Sequence, residues 1–281
     1  MSFFGRLIGR GRPVVSVLRF TGPIGMSSRF KPGVTFSSAA PQIDQAFSQS
    51  GLKAVALVIN SPGGSPVQSA QILQRIRDLA REKDVPVLAF TEDVAASGGY
   101  MLALAGDEIF VNEASIIGSI GVVAAGFGFT GLMEKVGIDR RLYTAGENKA
   151  RLDSFSPQKP EDVTWIENLQ AQIHDYFKEI VIDRRGRRLK ADAPGLFSGD
   201  VWLGRQAVAL GLVDAVADMR TLLRQRFGKK VKFRTITARK GLLSGVFGGG
   251  GSQASDADAG GYANDLLAAI EARLMWNRFG L

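Results

Sequence analysis

Two glycine pairs, each closing off an apolar run, constrain this chain more than any other feature. Residues 54–59 run into Asn60-Ser61-Pro62-Gly63-Gly64, and the apolar run 85–90 is followed shortly by Ala95-Ala96-Ser97-Gly98-Gly99-Tyr100. Short apolar runs bounded by Gly and Pro read as buried strands. Each turn opens a helical pattern: 65–82, with Ile72, Leu73, Ile76, Leu79 and Ala80 on one side, and the short stretch 97–105. Further strands are expected at 14–18, 108–111, 116–123, 141–144 and 231–237. A short helix is expected at 130–136, and a long amphipathic one at 160–185 carries Trp165, Leu169, Ile173 and Phe177 on one side. Strands alternating with helices imply an α/β domain, a sheet covered by helices. At 281 residues and 45% hydrophobic, the chain can bury a sizeable core.

Composition narrows the chemistry. There is no cysteine and one histidine, His174, so disulfides are ruled out and zinc or iron–sulfur sites are disfavoured. No acidic cluster has the spacing of a carboxylate metal loop, and no cofactor is expected. The net charge of +8 is unevenly placed. Arg6, Arg10, Arg12, Arg19, Arg29 and Lys31 precede the first acid, Asp44, and further knots lie at 184–190 and 229–232. Basic surface favours anionic partners, but no aromatic interleaving or nucleic-acid motif accompanies it, so no nucleic-acid partner is expected. The default reading of the 184–190 knot is a solvated group of cations at a helix C-terminus.

Arg6 interrupts any apolar signal-peptide core near the N-terminus. The uncharged stretch 114–133 approaches the length of a membrane span, yet its glycines, from Gly118 to Gly131, suit buried strands and turns better. Residues 241–261 are rich in Gly, Ser, Ala and Asp and read as a flexible linker. Asn264 could cap a last helix over 265–277, with Leu266, Leu267, Ile270, Leu274 and Met275 apolar. The expected organisation is therefore a basic segment 1–13, a main domain 14–240, a linker 241–261 and a C-terminal amphipathic helix 262–281.

Ser97 stands at a small-residue turn between strand and helix, near a glycine loop able to aim N–H groups at an oxyanion. That is equipment for acyl transfer. Such a serine needs a base, and His174 is the only imidazole available. A lysine is the natural substitute, since Ser-Lys versions of the triad exist. Taken singly, each motif has a plainer reading: Ser97 as a small turn residue, Gly63-Gly64 as a strand-to-helix turn, Lys149 as a solvated loop lysine.

Taken in order, the motifs resemble the signal peptide peptidase SppA family of serine peptidases. They are Ile59-Asn60-Ser61-Pro62-Gly63-Gly64, Ala95-Ala96-Ser97-Gly98-Gly99-Tyr100, Gly118-Ser119-Ile120-Gly121-Val122 and Gly146-Glu147-Asn148-Lys149. Trp202-Leu203-Gly204-Arg205-Gln206-Ala207 with Leu210-Gly211-Leu212-Val213-Asp214 is similar to the family's closing segment. The resemblance spans about residues 14–216. It implies a ClpP/crotonase-like fold, a repeated β-β-α sheet with covering helices, and a Ser-Lys dyad. In that reading Ser97 is the nucleophile and Lys149 the general base. The N–H groups of Gly63, Gly64 and Gly98 form the oxyanion hole, and the Ser119 hydroxyl orients the lysine amine.

The resemblance further implies a ring-like homo-oligomer, and leaves open whether Ser97 and Lys149 pair within one protomer or between adjacent ones. Peptides, unfolded membrane-derived segments and released signal peptides are the implied substrates. The chain departs from the family in lacking the N-terminal membrane anchor of many members and in the neighbours of Lys149. An ordinary lysine, with pKa about 10.4, must lose its charge before it can accept a proton from serine. Glu147 and Asp153 are therefore expected to face away from Lys149. A cytoplasmic protein is expected, with peripheral contact at the inner face of the membrane through the basic, Phe-bearing N-terminus and the tail helix. An acyl-CoA enzyme of the same fold, or a non-catalytic membrane scaffold, are the alternatives.

Overall fold

The computed structural model describes residues 12–25, 33–237, 270, 273–277 and 279. The proposed linker, the basic segment up to residue 11 and most of the tail pattern lie outside these residues. The strands β1 (Val14–Thr21), β2 (Leu52–Ser61), β3 (Val87–Ala96), β4 (Glu108–Val111), β5 (Ile116–Gly118), β6 (Val201–Leu203), β7 (Ala215–Val216) and β8 (Lys232–Thr235) form one sheet. Its order is β6-β5-β3-β2-β1-β8, with β4 beside β3 and β7 beside β4. Every pairing is parallel except β5 with β6.

Parallel strands need both faces covered, which is why β2 reads as an unbroken apolar run. Side chains alternate across it. Val55, Leu57 and Ile59 join the core formed with the helices α1 (Phe36–Phe47), α2 (Pro66–Lys83), α3 (Gly98–Ala103) and α5 (Pro160–Arg185). Ala54, Ala56 and Val58 face the other way, onto Phe90, Phe110 and Leu223 of α7 (Met219–Phe227). Helix α2 starts where the sequence signals it, at the Ser65 cap followed by Pro66, and ends at Asp84 in the left-handed region. Two shorter helices are α4 (Thr130–Val136) and α6 (Gly204–Ala209), and a single 3-10 turn, Gly186–Arg188, follows α5.

Several elements differ from the sequence expectations. Helix α1 has no counterpart among them, because Pro41 lies in its interior and argues against a helix. A capping box between Thr35 and Ser38 and the buried Ala39, Ile43, Ala46 and Phe47 hold it nonetheless. Strand β3 continues past Phe90 through the polar Thr91-Glu92-Asp93. The β2–β3 register shifts there, and the Asn60 side chain bridges the irregularity. Its amide donates to Asp93 at 2.6 Å and its carbonyl accepts from the Val94 N–H at 3.3 Å. The first half of β3 thus pairs with β4 and its end, Val94–Ala96, with β5.

The expected strand at 116–123 stops at Gly118, because Gly118 (φ 114°) and Ser119 (φ 52°) leave extended geometry. The uncharged stretch is accordingly buried from Ile117 through Ile120 but turns outward from Gly121. Residues 141–144 form no strand: they are exposed, and no neighbouring backbone among the described residues pairs with them. Residues 121–159 instead make an arm that is ordered from within. Phe129 N–H donates to the Ser154 carbonyl at 2.7 Å, Phe129 stacks on Phe155 at 5.4 Å, and Arg140 pairs with Asp153.

The 184–190 knot is not simply a solvated face. The Arg185 side chain is 1% exposed and grips Asp214 with two nitrogens, at 2.9 and 3.1 Å, and the Gly211 carbonyl at 2.7 Å. Arg184 donates to the carbonyls of Leu104 and Gly106 behind α3.

Candidate active site

Ser97 sits at the junction of β3 and α3, with φ 51° and ψ −124°. For a residue with a Cβ this region is sparsely populated and costs roughly 1–3 kcal/mol, held only by strong surroundings. Those surroundings are dense. Its N–H donates to the Gly118 carbonyl at 2.8 Å, and its carbonyl accepts from Met101 at 3.0 Å. Beneath it, Tyr100 is fully buried and its hydroxyl donates to the Leu212 carbonyl at 2.7 Å. Burial raises the Tyr100 pKa far above the ordinary phenol value, so it stays neutral and a donor. From Val94 to Gly106, Ser97 alone is not buried. The fold hides the whole turn and offers one hydroxyl.

The glycine loop lies directly against this turn. A Cβ on Gly63 (φ 105°) would stand 2.7 Å from Ser97 Cβ and 2.9 Å from Gly98 N. A Cβ on Gly64 (φ 140°) would lie 2.1 Å from the Ile24 carbonyl oxygen. The Ile24–Gly64 bridge uses the Gly63 carbonyl and the Ser65 N–H, so Gly64's own N–H points away from it. Neither the Gly64 nor the Gly98 N–H has a hydrogen-bond partner among the described residues. The Gly63 N–H differs: it is buried and donates to Ser61 Oγ at 3.2 Å. Of the three expected donors, Gly64 and Gly98 therefore remain available, and Gly63 acts by letting the loop close on Ser97. Substituting Gly64→Ala should cost at least tenfold in kcat/KM on a fluorogenic peptide, because the loop must retreat from Ile24 and carry the donor with it. Unchanged kinetics would remove Gly64 from the site.

Ser119 is 4% exposed and held by its N–H to the Asp200 carbonyl at 2.7 Å. It shares with Ser97, Gly64 and Gly98 the lining of a cavity of about 620 Å³. The same wall includes Ile173, His174 and Phe177 of α5, which the sequence reading placed on a helix but not at the site. Their helical spacing marks an inward face without saying what it faces. His174 Nε2 lies 3.1 Å from the Ile120 carbonyl.

Lys149 is not among the cavity's lining residues. It is exposed, on the outward arm, in a turn closed by its N–H to the Gly146 carbonyl at 3.2 Å. Arg151 anchors that part of the arm to the start of α5, 3.2 Å from Asp162 and over the Trp165 ring. Asp153 is engaged by Arg140 and by Ser156, and these hydrogen bonds hold its carboxyl below the usual range. Glu147 is exposed.

With this geometry in place, comparison with known proteins gives the class. The model of Peptidase family S49 matches residues 79–232, more than half of the chain. The chain belongs to this family, and its fold is of the ClpP/crotonase type. It is 36% identical over 169 residues to a putative signal peptide peptidase SppA of Enterococcus faecium, covering 59% of this chain and 47% of that protein. It is 46% identical over 272 residues to a protein of Brucella abortus named Na(+)/H(+) antiporter NhaA, covering 95% of this chain and 37% of that protein. The chain thus spans little more than a third of that relative's length, and the transport activity in the name is said of the longer protein. Among solved structures, the 1510-N membrane-bound stomatin-specific protease bound to a substrate peptide is similar with a TM-score of 0.50. That match has 16% identity and covers 82% of this chain and 94% of the other.

Proposed function

We propose that the chain is a serine endopeptidase with a Ser-Lys dyad, acting on peptides and unfolded segments of apolar character, released signal peptides among them. The observation that carries this reading is the Ser97 turn: a strained, partly exposed serine in buried surroundings, beside two glycine N–H groups that have no partner among the described residues. In the reaction Ser97 Oγ attacks the scissile carbonyl and its proton passes to the Lys149 amine. The Gly64 and Gly98 N–H groups hold the developing oxyanion, and the lysine returns the proton to the leaving amine. Ser119, beside Ser97, orients the amine. An extended peptide would be held through its backbone, with small or apolar side chains against the wall.

Lys149 reaches the serine of a second copy in this reading. Support comes from the arm that carries it, which leaves Phe127 78%, Tyr143 88% and Val136 57% exposed. Apolar side chains set out on an ordered arm favour burial against another protomer. The reading is tested by mixing two inactive variants. Lys149→Ala and Ser97→Ala should each be inactive alone, and their co-assembled mixture should regain up to about a quarter of wild-type activity as hybrid sites form. No recovery in a verified mixed assembly would place the dyad within one protomer or sink it. His174→Ala should stay within about tenfold of wild type, since a general base is worth roughly 10²–10⁴. A larger loss would shift the base to the imidazole.

No helix among the described residues is long and apolar enough to cross a membrane. Peripheral contact with the anionic leaflet remains our reading of the basic N-terminus, whose residues 1–11 lie outside those described. Co-sedimentation with anionic vesicles should fall at high salt and on removal of residues 1–11. Indifference to both would leave that segment without a lipid role.

A further inference from the structure

The arm that carries Lys149 is ordered from within, but its tie to the body of the protein runs to one residue. The hydrogen bonds and ion pairs that leave residues 122–158 for the rest of the described chain converge on Asp162. Asp162 lies in the first turn of α5 and is 7% exposed. Its Oδ1 is 3.2 Å from Nε of Arg151, two residues after Lys149, and its Oδ2 accepts from the Leu152 N–H at 3.4 Å. The Arg151 contact is an ion pair and not an aligned hydrogen bond. The same guanidinium lies over the Trp165 ring, 5.2 Å from its centre, one turn further along α5. A buried carboxylate needs a counter-charge, and Arg151 is the ionic partner of Asp162 among the described residues. The clasp holds backbone as well as side chain. Leu152 has φ 56°, a left-handed conformation that disfavours a residue with a Cβ and persists where the surroundings fix it.

We propose that Asp162 is a positioning residue for Lys149: through Arg151 it fixes where the arm presents the amine, without touching substrate or either member of the dyad. This rests on the reading of Lys149 as the base for Ser97 of a second copy. Helix α5 makes the device rigid. His174, on the cavity wall, is about 18 Å along the helix axis from Asp162. One part of the helix thus walls the cavity of its own copy's Ser97, and its first turn holds the lysine meant for the neighbour's. Without the Asp162 charge, the partly buried Arg151 cation has no counter-charge. It is then better placed in water, and its departure carries the Lys149 turn along. Substrate binding is untouched by such a shift, but turnover is not, since misplacing a catalytic group by 1 Å can cost about a hundredfold.

The test adds Asp162→Asn to one copy or the other of the complementing pair, full-length Ser97→Ala with full-length Lys149→Ala. The productive site in that mixture takes its lysine from the Ser97→Ala copy and its serine from the Lys149→Ala copy. Asp162→Asn on the lysine-bearing copy should cut the recovered kcat on a fluorogenic peptide at least tenfold, with KM within about twofold. The same substitution on the serine-bearing copy should leave recovery within about twofold. A loss of folding strikes both mixtures alike, so the asymmetry reads position and not stability. Arg151→Met should reproduce the asymmetry from the other side of the pair, and Arg151→Lys, which keeps the charge, should show a smaller one. Equal loss in both mixtures would make Asp162 a residue of the fold or the assembly, and no loss in either would free Lys149 from the clasp. Each of these results overturns the inference while leaving the dyad intact. No recovery with Asp162 unchanged, in a verified mixed assembly whose parent protein is active, would instead sink the dyad across copies, and the inference with it.

Discussion

Replacing Ser97 with Ala should abolish peptide hydrolysis, by on the order of 10⁴-fold or more in kcat, while leaving the fold and any assembly unchanged. The substitution removes one oxygen and keeps the Cβ that already tolerates φ 51°. The Gly118 carbonyl keeps its bond to the residue-97 N–H, and the buried Tyr100–Leu212 bond below the turn is undisturbed. Circular dichroism and the melting temperature should therefore match wild type within about 2 °C. Residual activity within tenfold of wild type would mean that another group is the nucleophile. Loss of activity together with unfolding would show only that the turn is structural.

A comparable effect, on stability, is expected at Asp214. Its carboxylate takes both outer nitrogens of the buried Arg185, the Ile109 N–H at 2.7 Å and one nitrogen of Arg188 at 3.2 Å. Asp214→Asn leaves the Arg185 guanidinium buried without its counter-charge. Breaking such a pair from one side costs about 3–5 kcal/mol, against which most surface changes are negligible. For a domain of this size that corresponds to a fall of roughly 10 °C in Tm.

Burial alone would push the Asp214 carboxyl upward, but the hydrogen bonds from Arg185 and Ile109, with the charges of Arg185 and Arg188, outweigh it and hold the pKa below the usual carboxylate range. A depressed folded-state pKa gives stability that is present above the unfolded value of about 3.9 and is lost as pH falls through the folded one. The wild-type protein should thus lose this contribution below about pH 4, and the gap between it and Asp214→Asn should narrow there. Denaturant titrations at pH 7 and near pH 3 measure it. A gap of the same size at both would show that the pair is not ionic.

The same residues show where sequence reading stops. β2 was legible because a strand buried on both faces must be apolar throughout, and α2 because Ser65 and Pro66 announce its start. The Ser97 turn was legible because such a turn needs small residues at fixed places. Helix α1 was hidden by Pro41, whose cost is met by burial of Ile43 and Phe47, contacts that no local pattern displays. β3 was cut short at Thr91 because its polar middle is a bulge satisfied by Asn60, more than thirty residues earlier in the chain. Arg185 read as one more basic residue in a knot, since its partner Asp214 lies on a distant segment.

By itself the sequence determined the α/β class, the order of the turns and the identity of the hydroxyl, because these depend on periodicity and on backbone shapes that only Gly or a small residue allows. Tertiary structure decided which N–H groups are spent and which have no partner among the described residues, as with Gly63 and Gly64, because that depends on neighbours brought from elsewhere. It decided that α5 walls the Ser97 cavity. It also set Lys149 on an outward arm away from that cavity. Distance between residues far apart in sequence is a property of packing, and no local pattern of residue types encodes it.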